Sequence, residues 1–179
     1  MTQFAKVYAG ALYDLAQEEQ LDTSLLEELE ALSTLFVENP AFVKLLASPL
    51  VAKDERLGVL NRTFEGKVQP YLLNFLRILC ERGEMNQIFG CVKEFRARYD
   101  QQHGIVPAVA VTALPLTDAQ MKNLEQRLEA ITGKTVRLTN RMDSTILGGV
   151  RLEMEGKQLD GTIKGRLTEL QHRLSTVTV

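Results

Sequence analysis

Apolar side chains recur every three or four positions over the first hundred residues, a spacing typical of amphipathic helices. Asn39-Pro40 is expected to cap and open one helix, and Gly66 and Gly83 to mark later breaks. The pattern predicts six helices joined by short loops, as in an antiparallel bundle. Their apolar repeats fall at residues 4–15, 25–36, 41–46, 56–64, 68–79 and 84–99.

The pattern changes near residues 103–107, after which short strands are predicted over 105–113, 135–139 and 149–155. Between the first two strands, Thr117 and Gln120 form a capping box that opens a helix, and Gly133 supplies its stop. A closing helix is predicted over about 161–174. We therefore expect an α+β fold, with a six-helix bundle over residues 1–104 followed by a small β-α-β-β-α domain over 105–179.

Two of the predicted helices are apolar over more of their circumference than a one-sided core contact requires. On a helical wheel the first helix is apolar over roughly 200° and the fifth over roughly 220°, where about 100° is enough for a surface helix. Such helices are either central in the bundle or offer one side to a partner. Ala5, Ala9 and Ala16 favour the partner, because small residues along one edge leave a shallow groove for another helix.

The predicted closing helix carries a narrower apolar seam, within roughly 60° on the wheel. The seam consists of Ile163, Leu167, Leu170 and Leu174. It fits either a coiled-coil contact or packing on the domain's own sheet.

Composition excludes several classes of function. Hydrophobic residues make up 45% of the 179 residues and charged residues 25%, as in a globular protein. The net charge of -2 disfavours a nucleic-acid coat, whose affinity depends on basic residues. Cys80 and Cys91 form no CxxC motif and are expected to be buried, reduced thiols. Because no apolar run approaches the roughly 20 residues of a membrane span and no signal peptide is recognised, we expect a cytoplasmic or peripheral protein.

The candidate catalytic motifs are incomplete. Gly133-Lys134-Thr135 resembles the end of a phosphate-binding loop, but the required earlier glycine is replaced by Leu128. A helix C-cap explains these three residues better. A regulator that binds a nucleotide through them is the alternative function. Gly148-Gly149 lacks the third glycine of a dinucleotide fingerprint and fits a bend at a strand start. We predict no catalytic residue, no cofactor and no metal site.

Several segments together resemble one family, the bacterial delta subunit of the F-type ATP synthase, equivalent to the mitochondrial oligomycin sensitivity-conferring protein. The resemblance covers essentially the whole chain and is most specific near its end. The matching segments are Tyr8-Ala9-Gly10-Ala11-Leu12, Leu73-Asn74-Phe75-Leu76, Leu147-Gly148-Gly149-Val150, Leu159-Asp160-Gly161-Thr162 and Lys164-Gly165-Arg166-Leu167. Two segments depart from the family's usual pattern: Asp143-Ser144-Thr145 lacks its proline, and Arg82-Gly83-Glu84 replaces Asn-Gly-Arg.

The resemblance implies a structural, non-catalytic stator subunit at the cytoplasmic face of the cell membrane, present in one copy per complex. Its first domain would bind the N-terminal helix of an alpha subunit between the first and fifth helices, at Tyr8, Ala11, Asn74, Phe75 and Leu79. Its second domain would bind the b-subunit dimer of the peripheral stalk through Gly148, Gly149, Asp160, Gly161, Leu167, Leu170 and Leu174. The protein would thus resist rotor torque during proton-driven ATP synthesis. An unrelated helical adaptor is a further alternative.

Overall fold

A computed structural model describes residues 3–154 and 156–162. In this part of the chain seven α-helices and a four-stranded mixed sheet give an α+β fold, as predicted. The helices are α1 (Gln3–Glu18), α2 (Asp22–Glu38), α3 (Pro40–Ala47), α4 (Lys53–Phe64), α5 (Pro70–Glu81), α6 (Ile88–Gln102) and α7 (Asp118–Thr132), with one 3-10 turn at Met85–Gln87. The strands are β1 (Ile105–Thr112), β2 (Thr135–Met142), β3 (Val150–Met154) and β4 (Lys157–Asp160). The chain divides into two compact units between Tyr99 and Asp100, within α6.

The first unit is built around a continuous apolar core to which α1 to α6 all contribute. Aromatic rings hold its parts together, because Phe36 meets Phe64 edge-on at a centroid distance of 6.0 Å. Tyr13 likewise meets Phe95 edge-on at 5.2 Å and so joins α1 to α6. Offset and edge-on pairs of this kind add to the stabilisation that burial provides.

Helix α1 contacts α6 at two places where a glycine leaves room for a side chain of the other helix. A Cβ atom at Gly90 would lie 3.3 Å from the Cβ of Ala5, and one at Gly10 would lie 2.8 Å from Nη2 of Arg98. Arg98 donates to Glu94 at 3.2 Å, which holds its guanidinium over Gly10. The glycines therefore let the two helices approach each other.

Helix ends in the first unit depart in part from the expected capping. Pro40 occupies the first turn of α3, as predicted, but Asn39 makes no side-chain cap there. Its amide instead donates to the carbonyl of Leu35 at 2.9 Å and closes the end of α2. The same Leu35 carbonyl also accepts the backbone N–H of Asn39 at 3.0 Å, so the Asn39 side chain adds a second hydrogen bond to the end of α2.

The sheet of the second unit has the strand order β2-β1-β3-β4. Strands β1 and β2 are parallel and joined through α7, whereas β3 is antiparallel to both β1 and β4. The predicted capping box and stop of α7 are confirmed: the backbone N–H of Thr117 donates to Gln120 at 2.9 Å, and Gly133 adopts φ 66°. Ala108 and Ala110 of β1 and Val136 and Leu138 of β2 pack with Leu128 of α7 in one apolar cluster.

Strand β4 was not predicted, so the observed order is β-α-β-β followed by one more strand. Its residues Lys157–Asp160 are all exposed and polar apart from Leu159, which leaves no alternation to detect. The strand forms because Gly156, at φ 74°, turns the chain back onto β3. The predicted closing helix over 161–174 lies, from residue 163 onward, outside the described residues.

Candidate functional site

Helix α1 has a second apolar face at the edge of the core, where Phe4 and Tyr8 pack against the core and Val7 and Ala11 are exposed. The residues of this face, called here the open stripe, recur at helical spacing and lie within about 100° on the wheel. Val7 is 60% exposed, Ala11 is exposed, and the others are half-buried. The open stripe consists of Phe4, Val7, Tyr8, Ala11 and Leu15. An apolar face of this length on a helix that already has a core face indicates a surface for another apolar element.

Helix α5 packs beside α1 and has a partly open face of its own. Tyr71 is half-buried, Asn74 is exposed, and Ile78 is 40% exposed. Just after α5, the guanidinium carbon of Arg82 lies 5.3 Å from the ring centroid of Tyr8, within the range of a cation–π contact. The end of α5 and the open stripe of α1 therefore meet at Tyr8.

Asn74 is held in place from within its own helix. Its Oδ1 accepts a hydrogen bond from Nη1 of Arg77 at 3.1 Å, and Nε of Arg77 donates to Asn61 of α4 at 2.7 Å. The Asn74 amide group therefore sits at the surface in one orientation, with its nitrogen still able to donate to a partner.

The predicted partner-binding residues of the first unit fall into two sets. Tyr8, Ala11 and Asn74 reach the surface, whereas Phe75 is 5% exposed and Leu79 is completely buried. Phe75 and Leu79 belong to the core beneath this surface, so Phe75→Asp would place a charge inside the core and unfold the unit. The prediction that Ala5, Ala9 and Ala16 edge the groove is wrong, because all three are completely buried.

In the second unit the predicted glycines bring two backbone segments together. Gly149 adopts φ 88°, and a Cβ there would lie 2.6 Å from the carbonyl oxygen of Gly161. The N–H of Gly161 in turn donates to the carbonyl of Val150 at 2.9 Å. Gly149 therefore forms the bend before strand β3, as the sequence suggested, and Gly148 is the residue before it. Leu167, Leu170 and Leu174 lie outside the described residues.

Two aspartates close the turns on either side of β3 and β4. The Oδ1 atom of Asp160 accepts the N–H of Thr162 at 2.9 Å, and that of Asp143 accepts the N–H of Thr145 at 2.9 Å. These hydrogen bonds, from the threonine hydroxyl and N–H, lower the pKa of both carboxyl groups. Both aspartates are thus fully ionised turn residues at neutral pH.

The reactive side chains of the described residues show no arrangement suited to catalysis. Within residues 3–154 and 156–162, no cluster of three His, Cys, Asp or Glu has the geometry of a metal site. Burial raises the pKa of the Cys91 thiol to about 11 and also raises that of Cys80, so both stay protonated. Gly133 is the C-cap of α7, as predicted, and Lys134 follows the helix where a phosphate-binding loop would precede one.

Comparison with known proteins identifies the family. The model of the ATP synthase delta (OSCP) subunit family matches residues 4–174. The chain belongs to this family. The ATP synthase subunit delta of Alkaliphilus oremlandii is 37% identical over 98% of this chain and 97% of its own length. That of Clostridioides difficile is 32% identical over 97% of this chain and 96% of its own.

A solved structure supports the fold of this ATP synthase delta (OSCP) family member. A chain in the cryo-EM structure of the Toxoplasma gondii mitochondrial ATP synthase hexamer superposes with a TM-score of 0.74 at 22% identity. The match covers 97% of this chain and 98% of that one. A delta (OSCP) subunit is a structural, non-catalytic part of ATP synthase. Across the described residues, no helix combines the length and apolarity needed to cross a membrane.

The structure adds residues of this delta (OSCP) family member that sequence reasoning left out of the candidate site. Val7 and Ile78 are the large apolar side chains most exposed on α1 and α5, and Arg82 contacts Tyr8. Wheel projection placed Val7 and Ile78 within the wide apolar arcs but could not say which half of each arc faces the core. Nothing in the sequence pointed to Arg82 as a site residue, because it lies in a segment that departs from the family pattern.

Proposed function

We propose that the protein is a stator subunit that links the catalytic headpiece of an F-type ATP synthase to its peripheral stalk. The first unit, as an antiparallel six-helix bundle, binds the N-terminal helix of an alpha subunit. The second unit binds the b-subunit dimer. The protein resists rotor torque during proton-driven synthesis and works at the cytoplasmic face of the cell membrane, as a peripheral component present once per complex.

The open stripe of α1 carries this proposal. Its Val7 and Ala11 are exposed, it lies beside a helix with its own partly open face, and it shares Tyr8 and Ala11 with the segment Tyr8-Ala9-Gly10-Ala11-Leu12 that resembles the family. An amphipathic helix laid along Val7 and Ala11 would cover apolar surface that water now contacts. Asn74 and Arg82 border the surface with donors for the polar edge of such a helix.

The stalk role of the second unit rests on family membership and on the segments that carry the resemblance there. Gly149 and Gly161 shape the backbone before β3 and after β4, so their direct role is to form this end of the sheet. The surface that the stalk uses is therefore proposed to be built on this frame rather than on the glycines themselves.

Isothermal titration of the full chain with a synthetic peptide from the N-terminus of the alpha subunit tests the headpiece contact. We expect saturable binding that Val7→Asp and Ile78→Asp each weaken at least tenfold, because a charge in an apolar contact loses hydration without a partner. Gln17→Asp, on the exposed opposite side of α1, is the matched control and should leave the affinity unchanged.

Two results would count against the headpiece contact. One is a correctly folded wild-type chain that shows no saturable heat at high micromolar peptide. The other is Val7→Asp and Gln17→Asp proteins with equal affinity and unchanged far-UV circular dichroism. A separate pull-down from the membrane fraction, probed for b subunits, tests the stalk contact.

A further inference from the structure

One face of the sheet in the second unit is covered over only half its width. The even-numbered residues of β1 and β2 lie beneath α7, and Ala108, Ala110 and Leu138 are buried. Leu152 of β3 is only half-buried, and its register partner Leu159 of β4 is 61% exposed. Among the described residues, no helix covers the β3–β4 half of this face.

Two hollows follow this uncovered half along the side of α7. One, of about 380 Å³, lies between Leu116, Leu124 and Val150. The other, of about 80 Å³, lies between Leu128, Met154 and Leu159 and is almost wholly apolar. Val150 borders the first hollow, and Leu152 and Met154 border the second, so the two hollows follow one another along β3 and are together called here the trough. Gln120, Asn123 and Arg127 of α7 add polar side chains to the wall of the first hollow.

The described chain ends at the head of this trough. Strand β4 runs antiparallel to β3, Gly161 donates to the carbonyl of Val150, and Thr162 is buried beside Gly149. A helix over residues 163–174 would be about 18 Å long. The five residues of β3 span about 16 Å. A segment that leaves Thr162 and turns back therefore has the length to follow β3 from Val150 to Met154.

We propose that the trough is the docking surface for this chain's own closing segment, residues 163–174. The apolar seam of that segment, Ile163, Leu167, Leu170 and Leu174, is the part that enters the trough. Its narrow width suits a cleft between one helix and a strand pair, because such a cleft contacts only one stripe of a helix. The opposite side of the segment then carries its polar residues to the surface. This docking would assign Leu167, Leu170 and Leu174 to the fold of the second unit itself, in place of the stalk contact that the resemblance implies for them.

Methyl-labelled NMR of the purified full chain, with no partner present, tests the docking. We expect nuclear Overhauser contacts between the methyl groups of Leu167 or Leu170 and those of Leu124 or Val150. The contacts should persist on dilution and should be missing across chains in a mixture of differently labelled molecules. Absence of these contacts, or contacts seen only between different chains, would overturn the proposal.

A matched pair of variants gives an independent readout. Leu170→Asp places a charge in the seam, whereas His172→Asp places the same charge on the opposite side of the wheel. Leu170→Asp should shift the Leu124 and Leu152 methyl signals and speed amide exchange in β3 at least tenfold, and His172→Asp should do neither. A chain ending at Thr162 should show the same shifts as Leu170→Asp. Equal behaviour of Leu170→Asp and His172→Asp, or no shift in the truncated chain, contradicts the docking.

Discussion

The two units of the molecule bury their apolar residues to very different extents. Among the described residues, the large side chains that are less than 2% exposed belong to the first unit, with Val111 of β1 the exception. The second unit buries few large side chains, and every residue of β3 is only half-buried. The first unit thus has a fully buried core and a partly exposed apolar stripe on α1, whereas one face of the sheet in the second unit is only partly covered by the described residues.

The edges of the sheet show the same contrast on a smaller scale. Along β2 the backbone N–H groups of Val136 and Leu138 donate to the carboxylates of Glu129 and Glu125 of α7, at 3.1 and 3.0 Å. These bonds occupy donors that would otherwise pair with another strand. Strand β4, at the opposite edge, is exposed along its whole length. The side of the second unit near α7 is therefore closed, and the side near β4 is open.

The largest effect that separates the units comes from the same substitution made in each core. Leu76→Ala removes a completely buried side chain of the first unit and should cost about 4 kcal/mol, as buried leucines do. Leu152→Ala, at a half-buried position, should cost about 1–2 kcal/mol. Native-state hydrogen exchange measures the loss in each unit separately. Equal losses would mean that the second unit is as fully packed as the first.

The backbone contact at Gly149 offers the next test, within the second unit. In Gly149→Ala the new Cβ would meet the Gly161 carbonyl at 2.6 Å and would also require φ 88°, so we expect a loss on the order of 3 kcal/mol. Gly156→Ala is the matched control, because it has a similar φ of 74° with no atom within 4 Å. It should cost only about 1–2 kcal/mol. Thermal unfolding, followed through spectroscopic signals of the second unit, measures both losses of stability. Equal losses would show that the close backbone contact at Gly149 does not affect stability.

Sequence reasoning succeeded where local chemistry decides and failed where packing decides. The capping box at Thr117 and the stop at Gly133 are local signals, and the structure has both. The helical wheel of α1 could not show that Ala5 faces the core, because that choice depends on Gly90, 85 positions further along the chain. Strand β4 was missed for a related reason: its pairing with β3, not its own pattern, makes it a strand.

The first unit also contains a buried cation that joins two helix ends. Nη1 of Arg56 donates to the carbonyls of Leu46 in α3 and Cys80 in α5, at 3.0 and 2.8 Å. Arg56→Met keeps the bulk but leaves both carbonyls without this donor, so we expect a loss of about 2 kcal/mol. Arg56→Lys should retain part of the stability through its charge at the two C-terminal helix ends. Urea unfolding of the wild type and the two variants measures these differences in stability. An Arg56→Met protein as stable as wild type would show that the desolvation penalty of the buried charge equals the stabilisation from its hydrogen bonds.

The smallest expected effect is the pH dependence of the turn after β4. Hydrogen bonds from Thr162 lower the pKa of Asp160 in the folded chain, so this carboxylate stabilises the fold above its unfolded pKa of about 4. That contribution is lost as the pH falls through the lower folded pKa. Asp160→Asn keeps an acceptor oxygen but removes the charge. Its melting temperature should lie slightly below that of wild type at pH 7, and the two should converge well below pH 4. A difference that stays constant across this range would assign the effect of Asp160 to turn geometry rather than to its charge.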